Sequence, residues 1–162
     1  MAAEILFERI DKHGLRFQVG ESGYESFAPL TEMYDGFSRT DLSQGLPPPD
    51  ERIRRRWVET LLKSANNFLA WRDGRVIGHS CLMADLNRGD AEFVIFVSEL
   101  SRNRGIGTEL TALALEKARK LGLQKMWLTV EAYNFRAIRL YQKFGFAFSG
   151  HADKERIMVL NL

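Results

Sequence analysis

An apolar run, Phe93-Val94-Ile95-Phe96-Val97, followed closely by Ser101-Arg102-Asn103-Arg104-Gly105-Ile106-Gly107-Thr108-Glu109-Leu110, leaves few folds open to this chain. The run reads as a buried strand. From Gly105 an amphipathic helix carries Ile106, Leu110, Leu113, Ala114, Ala118 and Leu121 on one face and stops at Gly122. Lys125 to Glu131 then reads as another strand. Lys125 to Glu131 is reached from Ala91 to Val97 through a helical crossover, so those two strands should be parallel.

The turn between strand and helix has chemistry of its own. The first N–H groups of a helix lack intrahelical partners, and the aligned peptide dipoles place partial positive charge there. Gly105 and Gly107 have no Cβ to hold an anion away from that backbone. Arg102 and Arg104 add two cationic forks that match phosphate oxygens. The local expectation is a phosphate or pyrophosphate seat.

Upstream, Ile5 to Ile10 and Leu15 to Val19 flank Asp11-Lys12-His13-Gly14 and read as a hairpin. Phe27, Leu30, Tyr34 and Phe37 recur at helical spacing, with Ser26 as cap. The polar stretch from Ser38 ends in three prolines, which run extended, before Asp50 caps a second helix reaching Ser64. On that helix Ile53, Trp57, Leu61 and Ala65 form one face and Arg52, Arg54, Arg55 and Arg56 largely populate the others. Asn67 to Trp71 and Arg75 to Met83 surround Arg72-Asp73-Gly74, a strong hairpin signal, and Asn87 to Asp90 turns the chain into Ala91 to Val97. Three consecutive antiparallel neighbours follow. Asn134 caps a helix from Phe135 to Phe144 that Gly145 ends, and Phe146 to Gly150 with Arg156 to Leu162 reads as a closing hairpin. The 162 residues, 45% hydrophobic and 27% charged, suffice for one domain, residues 1–162, with its own core.

Two nucleotide motifs are absent. Leu110 stands where a dinucleotide fingerprint needs its third glycine, and no Gly-Lys-Ser/Thr follows the turn. Instead, Arg102-x-x-Gly105-x-Gly107 after one strand, with Asn134-x-x-Ala137-x-x-Leu140-Tyr141-x-x-Phe144-Gly145-Phe146 after the next, resembles the GNAT superfamily of N-acetyltransferases. The match covers about Ala91 to Phe146, and the order of elements agrees across nearly the whole chain.

The resemblance implies an α/β (α+β) fold: a mixed, mostly antiparallel central sheet with a splayed parallel pair and helices on both faces. It implies an acetyltransferase that moves an acetyl group from acetyl-CoA directly to a primary amine, with no metal. It further implies that Ile95, Phe96 and Val97 line the pantetheine arm and that Arg102, Asn103, Arg104, Gly105, Ile106, Gly107 and Thr108 hold the pyrophosphate. Asn134 matches the asparagine that in many members contacts the cofactor arm, besides capping its helix, and Lys143, close to Tyr141, is placed by the resemblance where it could meet cofactor phosphate. Tyr141 matches the tyrosine that protonates the leaving thiolate, a task suited to a phenol that stays protonated at neutral pH. For the base that accepts the amine's proton the first choice is Glu92. Some relatives place that base within a Trp-Leu-Glu-Val sequence, which here is Trp127-Leu128-Thr129-Val130; Thr129 cannot serve, and Glu131 is two residues on. The first two helices and their loop should recognise the acceptor, with Tyr34, Phe37, Arg39, Asp41 and Gln44 as candidates.

Other classes are weighed on composition. A net charge of +2 and one basic run, Arg52 to Arg56, give little to a nucleic-acid partner, and that run reads as a solvated helix face. Cys81 alone excludes an intrachain disulfide and sits in an apolar run as a core residue. No hydrophobic stretch approaches the roughly 18 residues of a membrane span, and the expected compartment is the cytoplasm. The expected partners are therefore acetyl-CoA and an amine, without nucleic acid or membrane, and a homodimer is compatible with the reading. A non-catalytic acyl-CoA-binding regulatory module is the alternative.

Overall fold

The computed structural model describes residues 5–162. Eight strands form one sheet in the order β1-β2-β3-β4-β5-β6-β8-β7. They are β1 (Phe7–Ile10), β2 (Arg16–Ser22), β3 (Asn66–Arg72), β4 (Arg75–Asp85), β5 (Asp90–Val97), β6 (Lys125–Glu131), β7 (Ala147–Ser149) and β8 (Glu155–Asn161). Only β5 and β6 pair in parallel; every other neighbour is antiparallel. The four α-helices are α1 (Phe27–Asp35), α2 (Glu51–Ser64), α3 (Ile106–Lys120) and α4 (Phe135–Lys143). The expected mixed sheet, its three hairpins and its single parallel crossover are all present.

The helices divide between the two faces and make two cores. On one side α3 and α4 pack through Ile106, Leu110, Ala114 and Ile138 against Phe68, Phe93, Met126 and Leu128. On the other, Leu30, Tyr34, Val58 and Leu62 of α1 and α2 meet Leu69 and Val76, with Phe37, Trp57 and Phe96 packed alongside. The approach of α3 to β4 is close because Gly78 has no side chain: a Cβ there would lie 2.9 Å from Leu110 Cδ1 and 3.1 Å from Ile106 Cγ2.

Several local expectations shift. The buried stripe of α2 is Val58, Leu61 and Leu62, while Ile53 is 57% exposed. At about 100° of rotation per residue Val58 and Leu62 share the side facing the sheet, while Ile53 lies roughly 140° around the helix from Val58. On α3 the inward positions include Leu115, and Leu121 lies outside the helix and exposed. Ser26 makes no cap bond; its hydroxyl is taken by Ser22. Phe37 follows α1 rather than belonging to it. The stretch before α2 folds into a 3-10 turn at Arg39–Asp41 and a Ser43–Leu46 bridge, with a cis Leu46–Pro47 bond. The two helix caps at Asp50 and Asn134 are as read, accepting from Ile53 N at 3.0 Å and Ala137 N at 3.3 Å. Within the basic run Arg54 is held by Asp35 at 2.7 Å and Arg55 by Glu51 at 3.2 Å. Among the described residues no helix is long and apolar enough to cross a membrane.

Candidate functional site

The parallel pairing of β5 with β6 lasts only three positions, Asp90↔Lys125, Ala91↔Met126 and Glu92↔Trp127. Beyond them the strands part. The inner edge of β5 from Phe93 onward is therefore without a strand partner, although its other edge stays paired with β4 as far as Val97↔Gly78. Backbone groups alternate between the two edges of a strand. Ser98 N bonds to Ile77 O at 3.0 Å on the β4 side, so Phe93, Ile95 and Val97 turn their N–H and C=O groups toward the gap. The gap opens into a cleft of about 550 Å³.

The glycine turn closes one end of this cleft. Asn103 (φ 61°) and Gly105 (φ 96°) are both left-handed, which curls the backbone tightly before α3 begins. Glu109 N makes the first helical bond, to Gly105 O at 3.3 Å, so the N–H groups of Ile106, Gly107 and Thr108 precede the helical ladder. Gly107 sits at a narrow point: a Cβ there would lie 3.2 Å from Leu140 Cδ2 and 3.6 Å from Ile95 Cδ1. The cleft wall includes Ile95, Phe96, Val97, Arg102, Asn103, Gly105, Ile106, Gly107, Thr108, Asn134, Tyr141 and Lys143. Arg104 and Glu92 do not line it.

The two arginine forks are already engaged. Arg102 donates from Nε to Val97 O at 2.9 Å and from Nη1 to Asp41 Oδ1 at 3.0 Å, with its guanidinium 5.9 Å from the Phe37 ring centroid. Arg104 pairs with buried Asp11 at 3.6 Å. The cations facing the cleft are instead Lys12, Arg136 and Arg139, along with Lys143. Arg136 and Arg139 follow the Asn134 cap on α4, a position from which they could have been named. Lys12 could not, being far from the turn in sequence.

Tyr141 is buried, 6.4 Å from the Phe93 ring centroid and 5.9 Å from that of Phe146. Burial pushes its phenol above the ordinary value, so it holds its proton throughout the neutral range. Glu92 lies at the last paired position, half-buried, on the same face of β5 as Val94 and Phe96. Burial raises its carboxyl from the ordinary value. Phe93, Ile95 and Val97 point to the opposite face, where Tyr141 packs. Tyr141 and Glu92 thus approach β5 from opposite sides of the sheet.

The loop between α1 and α2 bridges the mouth of the gap. Its Asp41 reaches Arg102 beyond β5, and its Gln44 reaches β6, donating from N to Glu131 Oε1 at 3.2 Å and accepting from Thr129 Oγ1 at 3.4 Å. Of the candidates for the acceptor, Phe37, Asp41 and Gln44 line the cleft, whereas Arg39 does not. Tyr34 is fully buried below it, bonded to His79 Nδ1 at 2.6 Å. Asn67 Nδ2 donates to two carbonyls, so its Oδ1 must accept from His79 Nε2, leaving Nδ1 as acceptor for the Tyr34 hydroxyl. Burial lowers His79 to about 3, so the ring stays neutral. This triad pins α1 to the sheet.

Comparison with known proteins agrees with this architecture. The model of the acetyltransferase (GNAT) family matches residues 30–146. Mycothiol acetyltransferase of Thermomonospora curvata is 34% identical over 96 residues, 59% of this chain but 32% of that protein. The chain thus spans about a third of that relative's length. L-methionine sulfoximine/L-methionine sulfone acetyltransferase of Pseudomonas aeruginosa is 26% identical over 140 residues, covering 82% of this chain and 81% of the relative. Among solved structures, the GNAT domain of S. lividans PAT superposes with a TM-score of 0.84 at 16% identity over 97% of both chains. The yncA protein of Salmonella typhimurium, solved with its cofactor acetyl-CoA, superposes with a TM-score of 0.70 at 20% identity over 90% of this chain and 93% of that one. With the family model covering most of its length, the chain belongs to the acetyltransferase (GNAT) family and so to the acyltransferases.

Proposed function

We propose that the chain transfers the acetyl group of acetyl-CoA to a primary amine, directly, with both substrates bound at once. The observation that carries this reading is the early parting of β5 and β6 beside a turn whose free N–H groups suit phosphate. The open edge offers the N–H and C=O of Ile95 and the N–H of Val97, whose carbonyl is held by Arg102, to an amide-bearing arm, and the α3 turn with Lys143, Arg136 and Arg139 offers charge to phosphates. The site fits acetyl-CoA, whose thioester supplies the activated acyl group.

The remaining chemistry belongs to the chain. An N–H near Val97 polarises the carbonyl as negative charge develops on its oxygen. The amine enters from the α1–α2 face, past Gln44, Glu131 and Asp41, and reaches the carbonyl carbon on the side where Glu92 stands. The new C–N bond forms as the C–S bond breaks. The amine's proton passes through water to Glu92, and Tyr141 gives its own proton to the departing thiolate from the opposite face. Arg102 acts through its fork on Asp41 and Phe37, holding the acceptor loop over the gap, and its backbone belongs to the phosphate turn.

The test is amine-dependent release of free thiol from acetyl-CoA, followed against pH for the wild type and Glu92→Gln. A base must be ionised to accept a proton, and Glu92 is raised by burial. The rate should therefore fall as pH drops through the raised Glu92 carboxyl. Glu92→Gln should lose about a hundredfold in rate together with that acid limb. No thiol release across a broad set of primary amines would remove the reading itself; an unchanged acid limb in the variant would remove Glu92 from it.

A further inference from the structure

We propose that Lys12, at the tip of the β1–β2 hairpin, is a direct ligand of the pyrophosphate of the acyl-CoA, brought to the phosphate turn from the far end of the chain. The inference rests on the acetyl-CoA reading above and adds a binding residue to it.

The hairpin tip is docked on the turn. Lys12 N donates to Arg104 O at 2.9 Å. The Lys12 stem lies across Gly105, with Cγ and Cε each 3.9 Å from the position a Cβ would take there. The side chain also borders the cleft together with Gly105, Gly107 and Thr108. Its ammonium group is thereby carried on a stem that lies against the turn at the cleft wall.

The tip is also fixed in place. Asp11 Oδ1 accepts from His13 N at 2.8 Å and Leu15 N at 3.0 Å, and Gly14 N closes the turn on Asp11 O at 3.0 Å. The other carboxylate oxygen takes Arg72 and Arg104. Burial alone would raise the Asp11 carboxyl, but the two backbone N–H groups and Arg72 outweigh it and bring it to about 2. Asp11 is thus ionised wherever the protein is used, and it balances two arginines at once.

This arrangement takes both arginines of the turn away from a ligand and leaves Lys12 as the lysine lying against it. The two forks that the sequence offers to phosphate are turned toward Asp41 and Asp11. Among the described residues Lys12 has no carboxylate partner within ion-pair distance. A compact ammonium on a flexible stem suits a phosphate that approaches an already rigid backbone cradle, since the cradle supplies direction and the lysine supplies charge.

Calorimetric titration of the whole chain with coenzyme A, 3′-dephospho-coenzyme A and pantetheine tests this, using wild type, Lys12→Met and Lys12→Arg. Lys12→Met should weaken coenzyme A and its dephospho form equally, by about tenfold, and leave pantetheine unchanged, while Lys12→Arg restores most of the loss. The thermal midpoint of the free protein should be the same for all three, since the tip is held by Asp11. A loss seen with coenzyme A but not with the dephospho form would overturn the pyrophosphate assignment in favour of the 3′-phosphate. Equal affinity of Lys12→Met and wild type for coenzyme A would overturn the proposal altogether. Failure of wild type to bind coenzyme A would instead remove the acetyl-CoA reading on which it rests.

Discussion

Replacing Tyr141 by phenylalanine should lower kcat by about a hundredfold or more while leaving the Kd for acetyl-CoA within about threefold. The substitution deletes one oxygen and keeps the ring. Its edge contacts with Phe93 and Phe146, and its place in the core under α4, are therefore retained, and the fold should not be disturbed. What is lost is the proton that the proposed mechanism gives to the thiolate. The raised phenol suits the role because it starts protonated at every pH where an amine nucleophile is available. The kinetics should also show where the proton is needed: the loss should be largest when the thiol is a poor leaving group, and should shrink with an activated thioester. An unchanged kcat would leave Tyr141 as a core aromatic on the helix stripe.

The second large effect is expected at Gly107. Gly107→Glu should abolish measurable binding of acetyl-CoA in calorimetry, a loss of at least a hundredfold. Two causes act together. A Cβ alone meets Leu140 Cδ2 at 3.2 Å and Ile95 Cδ1 at 3.6 Å, so the longer side chain has to extend into the cleft. Its carboxylate then occupies the positive end of α3, where the cofactor's own negative charge belongs. A glutamate in the first turn of a helix is favourable for the helix itself, so the variant should fold and its thermal midpoint should not fall. Gly107→Ala separates the two causes, because it adds the contact without the charge and asks only the flexible end of Leu140 to give way; its loss should be much smaller. Retained affinity in Gly107→Glu would place the phosphate seat elsewhere.

Most of the architecture was legible because it is written in local patterns. Gly74 and Gly89 mark hairpin turns, Asp50 and Asn134 mark helix starts, and Gly122 and Gly145 mark stops at left-handed φ. The parallel pair was expected from the single-helix crossover between β5 and β6, whereas β2 and β3, which are joined through two helices, pair antiparallel. The splay was not written in β5 or β6; it came with the family resemblance and is visible as a register that stops after Glu92↔Trp127. What escaped was long-range partnering. Nothing near Arg102 announces that Asp41 will occupy its fork, and nothing near Arg104 announces Asp11, because sixty and ninety positions of chain have to fold back before those pairs exist. The same reason hid Lys12. Tyr34 is turned away from the acceptor side because an aromatic at helical spacing can face either way, and here the sheet below supplies His79 and buries it.

Charge placement gives the cleft its direction. Lys12, Arg136, Arg139 and Lys143 share the wall with the α3 turn, while Glu131 lies on the β6 face beneath Gln44, where the amine is proposed to enter. A cation drawn toward Glu131 and an anion drawn toward the turn would meet at Ile95 to Val97, between the acid and the base.

The account's central claim is that the parted strands and the turn before α3 together seat acetyl-CoA. Backbone amide shifts recorded during titration of the uniformly labelled protein with acetyl-CoA test it most directly. The largest changes should fall on Ile95 to Val97 and on Gly105 to Thr108, with smaller ones at Asn134 and Lys12, and α2 should stay still. Largest changes on α2 or on the β7–β8 edge, with Ile95 and Gly107 unmoved, would contradict it.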